Sequence, residues 1–356
     1  MQRNIDSIVL ANYIKYERLS SLINYAYTGS NATEINLFLD LYPIIRSIYA
    51  DTYQVSYHGF MDLVPLLINL CIHYRFFFKK FYGVYATIYI ISGRNRPEVN
   101  KMLVPEYNYV MQKREVAPTH SVMDEMLSKN FKILSILAPY LPGIHYIDTQ
   151  FETGVVIGHI IDTKKDNNPN IVISKDIYPL QLAANDRFLN TAFLKPFKMS
   201  SGEDLSVLIQ SAEYMNWTDF WSFVCKERNS NLPGEIMIHP SNIAPIMSIS
   251  GIPERSIKSL MQFRSVYRMI CQIIGTAAIE CSIDSIYSTF DIEANIPRHI
   301  IDNRFHTIDI PYQIDSLYSS SSEALLLKFE NKYDPGTVKA ICDKYFNNIP
   351  IMLDKL

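Results

Sequence analysis

Four short apolar runs in this chain end at, or just before, an acidic or hydroxyl residue. INLFLDL (35–41) carries Asp40, and YATIYII (85–91) runs into Ser92-Gly93. Residues 144–147 (IHYI) precede Asp148 and Glu152, and IVIS (171–174) precedes Asp176. Runs of this length and composition fit strands buried on both faces of a parallel sheet. Carboxylates at the carboxyl ends of neighbouring parallel strands suit divalent-metal or phosphate chemistry. Magnesium takes hard oxygen ligands, and open α/β sheets bind their ligands at those ends. The bland alternative for each acid taken singly is a cap or a turn residue.

Helical stretches separate the runs. They begin at Tyr42, span 61–81, span 120–141 up to Pro142-Gly143, and span 152–161 before the turn KKDNNPN at 164–170. Strand alternating with helix implies a parallel sheet flanked by helices, with right-handed crossovers. The expected organisation is a helical appendage over 1–30, an α/β core over 31–185, a helical domain over 186–300 and a mixed C-terminal segment over 301–356. The stretch 94–114 is basic and carries Pro97 and Pro105, which suits an irregular surface connection.

Composition narrows the classes. The chain has 356 residues, 48% of them hydrophobic and 19% charged, enough apolar material for a core and too much for disorder. A net charge of −3 excludes a polybasic binder but not a local basic stripe. The 5 cysteines are widely spaced and form no CxxC, as free thiols of a reducing compartment would be. The N-terminus lacks a signal-peptide pattern. Pro65, His73, Arg75, Lys79 and Lys80 interrupt the most apolar region, 60–91, so no membrane span is expected. The expected setting is the soluble, cytoplasmic space of a host cell. HYRFFFKK (73–80) mixes aromatics with cations and reads as a core helix with snorkelling lysines. No nucleotide-binding, zinc-protease or hydrolase-elbow motif occurs.

In order along the chain, LFLDLYPIIRSIY, YIIS with VPEYNYVMQKR, HYIDTQFETGVVIGHII and IVISKDIYPLQL resemble motifs of the 5′-nuclease family. This PIN-like family includes flap endonucleases and the phage ribonuclease H type. Downstream, SNIAPIMSISGIPERSIKSL resembles its helix–three-turn–helix, near 241–265. The resemblance spans about residues 35–265. It implies a PIN-like α/β core, a helical domain and a two-ion phosphodiesterase site. It also implies nucleic-acid partners: a DNA or RNA–DNA duplex with a branch, nick or flap, together with replication proteins. Family type and the Ile- and Asn-rich composition imply a low-GC phage source.

The departures from the family pattern are informative. Asp40, Glu152 and Asp176 stand where the family has acids, whereas Ser92, Val155, Tyr178 and Ser241 replace acids. Three carboxylates would hold at most one magnesium ion, weakly, so the expected cofactor is none or weakly bound Mg2+. The resemblance places Lys113 and Arg114 at the scissile phosphate. It places Gly251, Arg255, Lys258 and Arg264 against a duplex backbone, with Pro253 removing one amide donor. Asp148, His159 and Asp162 are the acids and imidazole near Glu152 that could compensate. The leading reading is a catalytically degenerate nucleic-acid-binding protein of replication or repair. The alternatives are an active magnesium-dependent 5′ nuclease and a protein-interaction scaffold on the same fold.

Overall fold

The computed structural model describes residues 32–41, 63–93, 121–174, 179–183, 187–188 and 190–198. It also describes strands at 204–210, 215–216, 237–238, 300–302 and 307–308, and residues 310–319, 325, 327–346 and 351–356. A sheet of 6 strands forms its centre, in the order β3-β2-β1-β4-β5-β6. These strands are β1 (Glu34–Asp40), β2 (Tyr85–Gly93), β3 (Ile144–Thr149), β4 (Asn170–Ile173), β5 (Thr191–Lys198) and β6 (Asp204–Gln210). β1 to β5 run parallel, and β6 returns antiparallel along β5. The expected parallel sheet flanked by helices is therefore present.

One sequence expectation needs correction. The chain after residue 186 reads as helical, yet 191–198 and 204–210 are strands that continue the sheet beyond 185. Lys195, Pro196 and Lys198 break the apolar run that would have marked β5. Pro196 is tolerated because β4 pairs only with 191–194, which leaves β5 with a neighbour on one side thereafter.

Strand alternation divides the sheet into two faces. Ile35, Leu37, Leu39, Ile88, Ile90 and Ile171 point into the larger core, against α1 (Leu63–Tyr82) and α2 (Ser121–Leu137). Each such side chain contributes about 1.5–3 kcal/mol on burial. Pro65 sits in the first turn of α1, where no helical N–H is lost. The helix closes with the Gly83 amide donating to the Lys79 carbonyl (3.1 Å), Gly83 having φ 68°. Arg75 leaves α1 and donates Nη1 to the Ala86 carbonyl at 2.7 Å. Its guanidinium occupies the space where a Cβ on Gly143 would stand, and the positive φ of 62° at Gly143 favours glycine there.

The other face carries Asn36, Phe38 and Asp40 and is covered by α3 (Thr153–Lys164). Phe38 stacks on Tyr89 at 4.9 Å, and Tyr89 on His145 at 5.3 Å, a ladder across three strands. Lys164, in the last turn of α3, donates to the Tyr89 hydroxyl (2.9 Å) and to Asn36 (3.1 Å) and pairs with Asp166 (3.0 Å). After the short helix α4 (Leu180–Ala183), the chain's end binds both faces. α5 (Ile310–Ser319) packs on α3, and Phe329 lies against Tyr89 and His145. The Lys332 amide donates to the Pro139 carbonyl, and α6 (Pro335–Tyr345), capped by Asp334, reaches α2. Residues 310–319, Phe329, Lys332 and 335–345 thus help to cover the core. Two isolated strand pairs, 215–216 with 237–238 and 300–302 with 307–308, complete the described elements. Among the described residues, no helix is long and apolar enough to cross a membrane.

Candidate functional site

Asp40 ends β1 between β2 and β4 and is 4% exposed. A carboxylate so deeply placed must be hydrogen-bonded to remain charged. Two hydroxyls provide this. Thr153 Oγ1, in the first residue of α3, donates to Oδ1 at 3.0 Å, and Ser174 Oγ donates to Oδ2 at 2.6 Å. The register pairs Leu39 with Ile173, so the residue following each strand segment, Asp40 and Ser174, stands side by side. The positive end of α3 faces the carboxylate and favours its charge further.

Gly93 explains how α3 can begin so close. A Cβ there would collide with the Thr153 hydroxyl and backbone nitrogen, so only glycine lets the helix start rest on the end of β2. Its neighbour Ser92 has a different outlook. Asp40 pairs with Ile91, so alternation turns Ser92 toward the opposite face. There its hydroxyl bonds the Tyr146 hydroxyl (2.8 Å) and donates to Asp148 Oδ1 (3.2 Å). The Ser92 hydroxyl is committed to β3, not to Asp40.

Glu152 is the N-cap residue of α3 and is buried, but its side chain makes no capping bond. One helical turn on, Val155 is fully buried. Of the three candidate compensators, Asp148 accepts from Ser92, and the other two are also engaged. The His159 ring shares a hydrogen bond with the Leu325 carbonyl at 3.1 Å, and a carbonyl only accepts, so Nε2 is the donor. Burial lowers the His159 pKa, against the opposing pull of the Leu325 carbonyl and Asp162. Asp162 accepts from Arg187 (3.3 and 3.0 Å) and from the Tyr318 hydroxyl (2.9 Å). Burial raises its pKa, but these bonds outweigh that and lower it overall.

Asp176, Lys113, Arg114, Gly251, Arg255, Lys258 and Arg264 lie outside the described residues, as do Tyr178 and Ser241. The expected helix–three-turn–helix near 241–265 lies outside them too. Reading the sequence missed Thr153 and Ser174 as partners of Asp40. The one available signal was that LFLD and IVIS each end in a polar residue after three apolar ones.

A two-ion centre needs several carboxylate oxygens free to bind metal. Asp40 has a hydroxyl donor on each oxygen, and the described residues contain no group of three or more His, Cys, Asp or Glu able to hold an ion. The described residues alone do not assemble such a centre.

No family model and no curated protein matches this chain. The solved structures similar to it include enzymes of the 5′-nuclease class. One is the bacteriophage T5 flap endonuclease, a pseudo-enzyme–product complex with DNA and metal ions. It has 11% identity over 88% of this chain and 99% of that one, with a TM-score of 0.38. The T5 5′-exonuclease with bound zinc has 9% identity over 87% and 98%, with a TM-score of 0.42. Human GEN1 in complex with Holliday junction DNA has 8% identity over 87% and 67%, with a TM-score of 0.38. At these identities and TM-scores, the description of the fold rests on its own strand order and register.

Proposed function

We propose that this protein binds nucleic acid through a 5′-nuclease-type α/β core and does not perform two-metal phosphodiester hydrolysis. The observation that supports this reading is the state of Asp40, whose two oxygens each accept a hydroxyl from this chain's own Thr153 and Ser174. Val155, where the resembling family has an acid, is buried apolar surface, and Ser92 is bonded to Tyr146 and Asp148. The substrate class carried over from the sequence resemblance is duplex DNA or an RNA–DNA hybrid with a nick, branch or flap, in replication or repair. Lys113, Arg114, Arg255, Lys258 and Arg264 would contact its phosphates.

The test pairs cleavage with binding. Labelled flap, nicked and hybrid substrates are incubated with magnesium and separately with manganese, beside an Asp40→Asn control. No cleavage is expected, since losing the charge stabilisation of even one ion slows such chemistry roughly a thousandfold or more. Robust cleavage abolished by Asp40→Asn would establish the active nuclease instead. Binding of the nicked duplex should weaken linearly with log salt, by about 0.9 per phosphate contact. Arg255→Gln with Lys258→Gln should flatten that slope by about two units. No duplex binding at low salt would favour a protein scaffold.

A further inference from the structure

α1 ends on a surface that the Asp40 site does not use. Tyr74, Phe77 and Phe78 of its aromatic run are buried, as the sequence suggests, but Phe76, Phe81 and Tyr85 are 38%, 63% and 52% exposed. Two lysines stand between these rings. Lys79 Nζ lies 3.4 Å from the Tyr85 ring centre, and Lys80 Nζ lies 5.5 Å from Phe76 and 5.6 Å from Phe81. The result is an arc alternating aromatic and cation around the helix end and onto the start of β2.

Two ordinary explanations account for part of this arrangement. Lysines in a last turn complement the helix dipole, and snorkelling lysine stems cover apolar surface. Neither leaves three large rings open beside two ammonium groups. Among the described residues neither lysine is ion-paired with a carboxylate. The neighbouring acid by register is Glu34, opposite Tyr85. The arc lies at the amino end of β2, about 20 Å along the strand from the end bearing Asp40.

Exposed rings flanked by cations that have no carboxylate partner among the described residues match the chemistry of a single-stranded nucleic acid. Every base offers a face to stack on an aromatic ring, and the backbone between bases places a phosphate within reach of a lysine. We propose that Tyr85, Lys79, Phe76, Lys80 and Phe81 form a binding site for single-stranded nucleic acid, with bases on the rings and phosphates on the lysines. The site deepens, and rests on, the reading of this chain as a nucleic-acid binder. It uses residues separate from the duplex-contacting ones, so the two can fail separately.

The test measures fluorescence anisotropy of a labelled oligothymidylate of about 15 nucleotides binding the full chain. An abasic oligomer of equal length and a nicked duplex are run in parallel, with polyglutamate as competitor. Phe81→Leu with Tyr85→Leu keeps the apolar bulk but removes the flat faces. It should weaken oligothymidylate binding by about tenfold or more and leave the abasic oligomer unaffected. Lys79→Gln with Lys80→Gln should flatten the salt dependence by about 1.4. Unchanged oligothymidylate affinity in the leucine pair, with native circular dichroism, overturns the site. So does an abasic oligomer that binds as tightly as oligothymidylate, or polyglutamate that displaces it equally well, since either marks a contact for any polyanion or acidic protein. Retained nicked-duplex binding beside an unaffected oligothymidylate overturns this site alone. Lost duplex binding with a ring-dependent oligothymidylate signal supports the site and overturns the duplex reading.

Discussion

Thr153 donates its hydroxyl to Asp40 across a sequence separation of 113, joining the start of α3 to the end of β1 at 3.0 Å. With Ser174 on the other oxygen at 2.6 Å, the buried carboxylate acts as a clasp for β1, β4 and α3. Hydrogen bonds to charged groups contribute about 1.5–3 kcal/mol each. Thr153→Val and Ser174→Ala should therefore each lower unfolding free energy by about 1–3 kcal/mol, read from urea denaturation. In an Asp40→Asn background the same substitutions should cost clearly less, with a coupling of about 1 kcal/mol or more. Strict additivity would mean that the hydroxyls stabilise something other than Asp40.

Position 155 tests whether a lost acid can be put back. Val155 is 0% exposed. Val155→Asp should destabilise the fold by on the order of 3 kcal/mol or more at pH 7, because burial disfavours the charged carboxyl. Its folded pKa would lie above the unfolded value, so the deficit relative to wild type should grow as pH rises above about 4 and shrink below it. A Val155→Asp protein as stable as its parent in metal-free buffer would show that the position faces a polar site.

Arg187 holds α5 to α3. It makes a forked pair with Asp162 and one bond to Asp315 at 2.8 Å, and Tyr318 joins at Asp162. Asp315 is mostly exposed, so its share is small, and the Asp162 fork dominates. Arg187→Lys keeps the charge but loses the fork, and should cost about 1 kcal/mol. Amide exchange across 310–319 should quicken in that variant while exchange in β1 and β2 stays unchanged. Equal exchange in both proteins would remove Arg187 as the fastener.

His145 sets a pH dependence. Burial first, then the charges of Lys164 and Arg75, depress its pKa from 6.5 to about 4. The folded state thus holds a neutral ring, while the unfolded chain takes up a proton below about 6.5. This contribution is full above pH 6.5 and is lost as pH falls toward 4, a loss of up to about 3 kcal/mol. His145→Phe should preserve the stacking on Tyr89 and flatten the melting-temperature profile between pH 6.5 and 4. His159, whose pKa is also lowered, should leave a residual slope. An unaltered profile in His145→Phe would place the titration elsewhere.

The amino-acid sequence by itself determines the strands at the heart of the sheet. The runs at 35–41, 85–91, 144–147 and 171–174 are apolar over the length of a strand and end in polar residues, and that pattern is local. β5 and β6 were not legible in the same way. Lys195, Pro196 and Lys198 interrupt the apolar pattern of β5, and Pro196 is tolerated because its partner β4 stops pairing at Leu194. Asp40 could be singled out from sequence because an acid ending an apolar run is conspicuous. Its state could not, because Thr153 and Ser174 become its partners only when parallel register brings β4 alongside β1 and Gly93 admits the start of α3. Tertiary structure alone decided which face of the sheet Ser92 sees and which rings at the end of α1 remain exposed. Those outcomes depend on strand twofold alternation and helix packing between residues far apart in the chain, and no local pattern encodes them.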